Sequence, residues 1–240
     1  MNDQKPTIVL VHGAFAESAS WNGVIECLHK ESLDVVAAAN PLRGLAEDAA
    51  YIRDVIAGIG GPVVLAGHSY GGMVITEAAS GNTSVLGLVY VDAFTPEHGE
   101  SALELAAKFP GSTLGETLHA YPVASGGNDL AIQQDKFHQQ FAADVPAEQA
   151  ALMAATQRPV TEKALTDGLP TTAPAWRTIP SWFVISDQDL CIPVAAHRYF
   201  AERAGARGIR EVAGASHALS VSQPAEVAAS ILDAVKAVSN

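Results

Sequence analysis

Short apolar runs alternate with amphipathic stretches along most of this chain. Thr7-Ile8-Val9-Leu10-Val11 is β-branched and uncharged, as a strand buried on both faces should be. Residues 20–29 then read as a helix. The alternation continues with a strand over 33–38, a helix over 45–59 and a strand over 63–66. A helix follows from Gly72, then a strand over 85–91. Near the C-terminus come a strand at 182–185, a helix at 194–204, a strand at 209–212 and a helix at 224–238. Continuous apolar strands joined by helical crossovers predict an α/β fold with a doubly wound, mostly parallel sheet of six strands.

From about Phe94 to Pro180 the alternation stops. Helix-like pieces at 101–109, 129–143 and 146–157 are punctuated by proline and glycine, and no strand is expected there. The implied organisation is a core of residues 1–93 and 181–240, with a helical cap at 94–180 inserted before the last two strands. Such a cap would lie over the C-terminal edge of the sheet, where open α/β sheets bind ligands.

Composition narrows the partners. The chain has 240 residues, 48% of them hydrophobic and 17% charged, enough for one large domain with a filled core. A net charge of −12 disfavours nucleic acid and anionic membrane, both of which call for basic patches. Cys27 and Cys191 suggest neither a disulfide framework nor a metal site, and both read as packing thiols. The N-terminus runs into the first strand without the basic start and apolar stretch of a signal peptide. These features predict a cytoplasmic protein, monomeric or homodimeric, that acts on a small molecule without a metal.

The sharpest chemical signal is Gly67-His68-Ser69-Tyr70-Gly71, between a predicted strand and a predicted helix. A Gly-x-Ser-x-Gly in that setting is a nucleophile elbow, which raises the serine above the sheet at a helix N-terminus. A serine hydroxyl needs a histidine to take its proton and a carboxylate to orient that histidine. His217, between the last strand and the last helix, falls at the same sheet edge. Asp189, in the loop after residues 182–185, is favoured as the acid for its reach, with Asp92 and Asp187 as alternatives. Backbone N–H groups of Tyr70 and Ala14 are the expected oxyanion donors. His12 reads as a support for the Ala14 loop. Phe15, His68 and Phe94 are the candidate substrate contacts, His68 reading equally as a support of the elbow, while Phe109, Leu114, Leu118, Phe137, Phe141, Met153 and Trp176 are each core or pocket. Gln157-Arg158 reads as a polar helix end.

Val9 to Phe15, Gly67 to Gly72, Asp189 with Ile192-Pro193, and Ser216-His217 together resemble the α/β-hydrolase superfamily. Over nearly the whole chain, the resemblance is to bacterial carboxylesterases related to the plant methylesterase and hydroxynitrile lyase group. It implies a Ser69–His217–Asp189 triad, oxyanion donors at Ala14 and Tyr70, and cofactor-free hydrolysis of small carboxylic esters. Lyases of the group typically carry threonine after the first-strand histidine and lysine after the catalytic one. Gly13 and Ala218 stand there instead, which favours acyl transfer. A lyase-like reaction on the same triad and a ligand-sensing module are the alternatives.

Overall fold

The apolar runs become a parallel sheet in the computed structural model, which describes residues 5–124 and 126–239. The first part of the fold is β1 (Thr7–Val11), α1 (Asn22–Lys30), β2 (Val35–Ala38), α2 (Leu45–Ile59), β3 (Val63–His68), α3 (Gly71–Ala79) and β4 (Val85–Val91). An excursion then carries α4 (Ala102–Ala106), β5 (Leu118–Pro122), β6 (Asn128–Ile132), α5 (Gln134–Phe141), α6 (Ala147–Thr156), β7 (Val160–Thr161) and α7 (Glu162–Thr166). The chain returns to the sheet with β8 (Ser181–Ser186), α8 (Val194–Arg203), β9 (Gly208–Val212), α9 (Leu219–Ser222) and α10 (Pro224–Val238). The six strands lie in the order β2-β1-β3-β4-β8-β9, each pair parallel.

Alternation along the strands feeds two cores. Val9, Val11, Leu65, Tyr90 and Ile185 pack with α2, α3 and α8, while Ile8, Leu10, Val64, Val89 and Val184 pack with α1 and α10. β3 is buried at every position because strands flank it and helices cover it. α2 buries Leu45, Ala49, Ile52 and Ile56, a single stripe at helical spacing. Glu47 and Asp48 in its first turn complement the helix dipole, and Gly60 in the left-handed region ends it.

The excursion corrects one expectation. Residues 118–122 and 128–132 form an antiparallel hairpin, and β7 adds a third strand to it. Part of the helix expected over 129–143 is therefore strand, and α5 begins at Gln134. β5, Leu118-His119-Ala120-Tyr121-Pro122, is largely exposed, and its mix of short, ring and imidazole side chains shows neither a continuous apolar run nor clean alternation. Gln157 joins this sheet rather than ending a helix passively. Its Oε1 accepts the Ile132 N–H and its Nε2 donates to the Ile132 carbonyl, each at 2.8 Å, as a neighbouring strand would. Among the described residues, no helix is long and apolar enough to cross a membrane.

Candidate active site

The turn between β3 and α3 holds Ser69 at a φ of 54°, a left-handed conformation rare for a non-glycine residue. Strain of this kind costs of order 1–3 kcal/mol and persists only where its surroundings enforce it. The flanking glycines are steric necessities. A β-carbon on Gly67 would fall 2.6 Å from the Gly71 carbonyl oxygen. The elbow thus closes only with glycine at its base.

The C-terminal ends of β8 and β9 bring the other two groups to Ser69. His217 Nδ1 lies 2.7 Å from Asp189 Oδ2, and its Nε2 lies 2.9 Å from Ser69 Oγ. A carboxylate only accepts, so Nδ1 carries the proton and Nε2 is free to receive the serine hydroxyl. Asp189 is itself fixed: Oδ1 accepts the N–H groups of Cys191 at 2.6 Å and Ile192 at 2.9 Å. Burial pushes its pKa up, but the charge of His217 and hydrogen bonds from His197 and His217 outweigh that and hold it well below the usual carboxylate range. For His217 burial pulls downward, and Asp189 more than reverses it, so the imidazole is more basic than usual.

The other two candidate acids bond to other partners. Asp187 Oδ1 accepts the Gly214 N–H at 2.7 Å and supports a turn. Asp92, at the end of β4, accepts the Ser186 N–H and hydroxyl, both at 2.7 Å. Burial pushes Asp92 up to about 7, against the pull of nearby His197.

Ala14 and Tyr70 line a cavity together with Ser69 and His217. The neighbouring Phe15 N–H donates instead to the Arg158 carbonyl at 3.2 Å, tying this loop to the excursion. The cavity measures about 120 Å³, and Phe15, Phe94, Leu103, Leu114, Leu118 and Leu165 make much of its wall. Phe141 also lines it, edge-on to His217 with ring centroids 4.9 Å apart. Phe109, Phe137 and Trp176 pack elsewhere, while Met153 borders a second cavity of about 440 Å³ that shares Phe15.

Of the two roles open to His68, support of the elbow and pocket lining, the structure does not give it the second. It is fully buried outside the cavity lining, and its Nε2–H donates to the His217 carbonyl at 2.8 Å. Burial and the neighbouring His217 lower its pKa to about 3, so it stays neutral. His12 is lowered to about 4, chiefly by burial, and its Nδ1–H donates to the Gly13 carbonyl at 2.9 Å. The sequence pattern singles out neither Leu103 and Leu165 of the cavity wall nor His197 on α8, whose Nε2 lies 2.9 Å from Asp189 Oδ2. A histidine on a helix that buries Ala196, Phe200 and Ala201 gives no signal beyond core packing.

A strained serine elbow on a parallel sheet of this order defines an α/β-hydrolase fold. The profile of the alpha/beta hydrolase family matches residues 8–230, and the chain belongs to that family. The α/β hydrolase nvfD of Aspergillus novofumigatus is 29% identical over 211 residues, covering 79% of this chain and 80% of that one. A carbendazim-hydrolysing esterase of a Nocardioides species is 36% identical over 115 residues, covering 42% of this chain and 47% of that one. In structure the chain resembles polyneuridine aldehyde esterase, with a TM-score of 0.81, 22% identity, and coverage of 96% and 99%.

Proposed function

We propose that this α/β hydrolase is a serine carboxylesterase that cleaves small esters through an acyl-enzyme. The hydrogen-bonded series Asp189–His217–Ser69, with spacings of 2.7 and 2.9 Å, carries the reading. Ser69 Oγ attacks the ester carbonyl while its proton passes to His217 Nε2. The Ala14 and Tyr70 N–H groups take the oxyanion, and Asp189 offsets the imidazolium charge. Collapse expels the alkoxide, which receives the proton from His217 and leaves as alcohol. Water then repeats the cycle on the acyl group, releasing a carboxylic acid and restoring Ser69. No step calls for a metal or cofactor.

The apolar wall favours an uncharged acyl or alkyl group of modest size, with the excursion acting as a cap over it. Among the described residues, those lining the cavity include neither lysine nor arginine to receive a leaving cyanide, and Ala218 is buried. That composition favours ester hydrolysis over a lyase reaction.

Fluorophosphonate labelling with peptide mapping, joined to turnover of short-chain p-nitrophenyl esters and of carbendazim, tests the proposal. The adduct is expected on Ser69, and Ser69→Ala should lose at least about 10³-fold in kcat. Labelling at another residue, or equal turnover by Ser69→Ala, overturns it.

A further inference from the structure

Two imidazoles converge on one oxygen of the acid. Asp189 Oδ2 receives His217 Nδ1 at 2.7 Å and His197 Nε2 at 2.9 Å. The same His197 nitrogen also lies 3.6 Å from Asp92 Oδ1. His197 Nε2 faces carboxylate oxygens, which only accept, so it carries a proton. A continuous buried row results, running Asp92, His197, Asp189, His217, Ser69, with exposures of 0, 1, 5, 1 and 7%.

Packing alone does not account for His197. Asp189 already accepts two backbone N–H groups and the His217 ring. A further donor on Oδ2 weakens that oxygen as the partner of His217, and so acts on the base itself. A metal ion is the competing reading, because ligand atoms of Asp92, Asp189 and His197 lie within 4.8 Å of one another. Every carboxylate oxygen in the row, however, already accepts a hydrogen bond from the protein. Asp189 in particular has its four acceptor sites filled by the N–H groups of Cys191 and Ile192 and by two imidazoles, so a cation there would have to displace one of them.

Building on the triad assigned above, we propose that His197 is a positioning residue that fixes Asp189 Oδ2 against His217 and, with Asp92 behind it, tunes the proton affinity of the catalytic base. His217 is bonded by Asp189 from the loop after β8 and faced by His68 from β3, its ring centroid 4.7 Å away, while Asp92 at the end of β4 acts on it through its charge. His197 faces Asp92 and Asp189. The Cys191 thiol, pushed up by burial and by Asp189, stays protonated, and His68 stays neutral. Removing the His197 N–H should loosen Asp189 but leave more of its negative charge to act on His217, and so raise the His217 pKa. Removing the Asp92 charge, which raises His217, should lower it. Opposite shifts from neighbouring substitutions are the signature of tuning.

The test is histidine NMR titration of the apo protein, joined to pH profiles of kcat and KM for p-nitrophenyl acetate. In His197→Phe the His217 midpoint and the acid limb of kcat/KM should both move up by about half a unit or more. Its kcat should fall roughly tenfold with KM little changed. In Asp92→Asn the midpoint should move down. His197→Gln, whose amide N–H can reach the same oxygen, should return the midpoint and most of kcat, and it keeps the test open if His197→Phe does not fold. Midpoints unmoved in both His197→Phe and Asp92→Asn, or moved the same way in both, overturn the proposal. So does stoichiometric metal in the purified parent that is lost in His197→Phe. The NMR readout needs no turnover. The predicted shifts in a parent without esterase activity would uphold the positioning role while removing the ester reading.

Discussion

A β-carbon on Gly13 would lie 2.6 Å from the β-carbon of Ser69. The same atom would fall 2.7 Å from the His68 carbonyl oxygen and 3.2 Å from the Tyr70 nitrogen. The loop after β1 is pressed onto the elbow, and only hydrogen fits between them. Ala14, next in the chain, lines the same cavity as Ser69 and Tyr70. Gly13→Ala must push the two apart, and is expected to lower kcat/KM at least about 100-fold, through kcat, while the fold persists. Steady-state kinetics with circular dichroism would check this. The lyase-type pair Gly13→Thr/Ala218→Lys is expected to lose ester turnover without gaining cyanohydrin cleavage, since threonine has no room.

Tyr70 separates side-chain from backbone roles. Its hydroxyl donates to Asp48 Oδ2 at 2.9 Å, and Asp48 also accepts the Arg43 N–H at 3.0 Å, with both side chains buried. Tyr70→Phe leaves a buried carboxylate short of one donor but keeps the Tyr70 N–H. Denaturant unfolding should show a loss of about 1–3 kcal/mol. The kcat/KM should stay within about threefold, because the proposed oxyanion donor is the backbone N–H. A large kinetic loss with unchanged stability would assign the hydroxyl to the chemistry instead.

The sheet was legible because a strand buried on both faces must be apolar throughout. Val85–Val91 has the same bounds in the sequence pattern and in the fold. Ser69 and His217 were legible because an elbow and a loop histidine occupy set places at strand ends. The hairpin β5–β6 was not, since its exposed residues carry little hydrophobic signal, although Gly126 and Gly127, both at positive φ, sit at its turn. The cavity wall was only half legible. Leu114 and Phe141 line it whereas Phe109 and Phe137 do not, a difference set by tertiary packing that linear pattern does not carry. His197 shows the same limit, for its importance lies wholly in what faces it across the fold.

The pH dependence of turnover follows from the sign of the His217 shift. The base must be neutral to accept the Ser69 proton. Asp189 overcomes the downward pull of burial and makes His217 more basic than the ordinary imidazole, so protonation begins at higher pH. The kcat/KM profile should fall with decreasing pH through a midpoint above about 6.5. Asp189→Asn removes the charge that raises it, and should move the midpoint down while cutting kcat by about 10⁴-fold. A midpoint that Asp189→Asn leaves unchanged would separate the limb from His217.

Phe15 holds a φ of 60° and borders both the 120 Å³ cavity at Ser69 and the 440 Å³ cavity beside α6. The outer space is bounded by Ser20, Gln149, Leu152, Met153 and Gln157. With the ring in place, a chain reaching Ser69 fills a small apolar space. Phe15→Ala should join the two and admit longer groups. Each methylene newly buried is worth about 0.8 kcal/mol, so two are enough to shift preference more than tenfold. The ratio of kcat/KM for p-nitrophenyl octanoate over acetate should rise by that factor or more, and Phe15→Leu should fall between. Leu152→Ala, altering an exposed residue of the outer cavity alone, should leave the parent ratio unchanged but reduce octanoate turnover in the Phe15→Ala background. An octanoate preference unmoved by Phe15→Ala would mean that the ring does not divide the two spaces, and that chain length is set by Leu103, Leu114 and Leu165 instead.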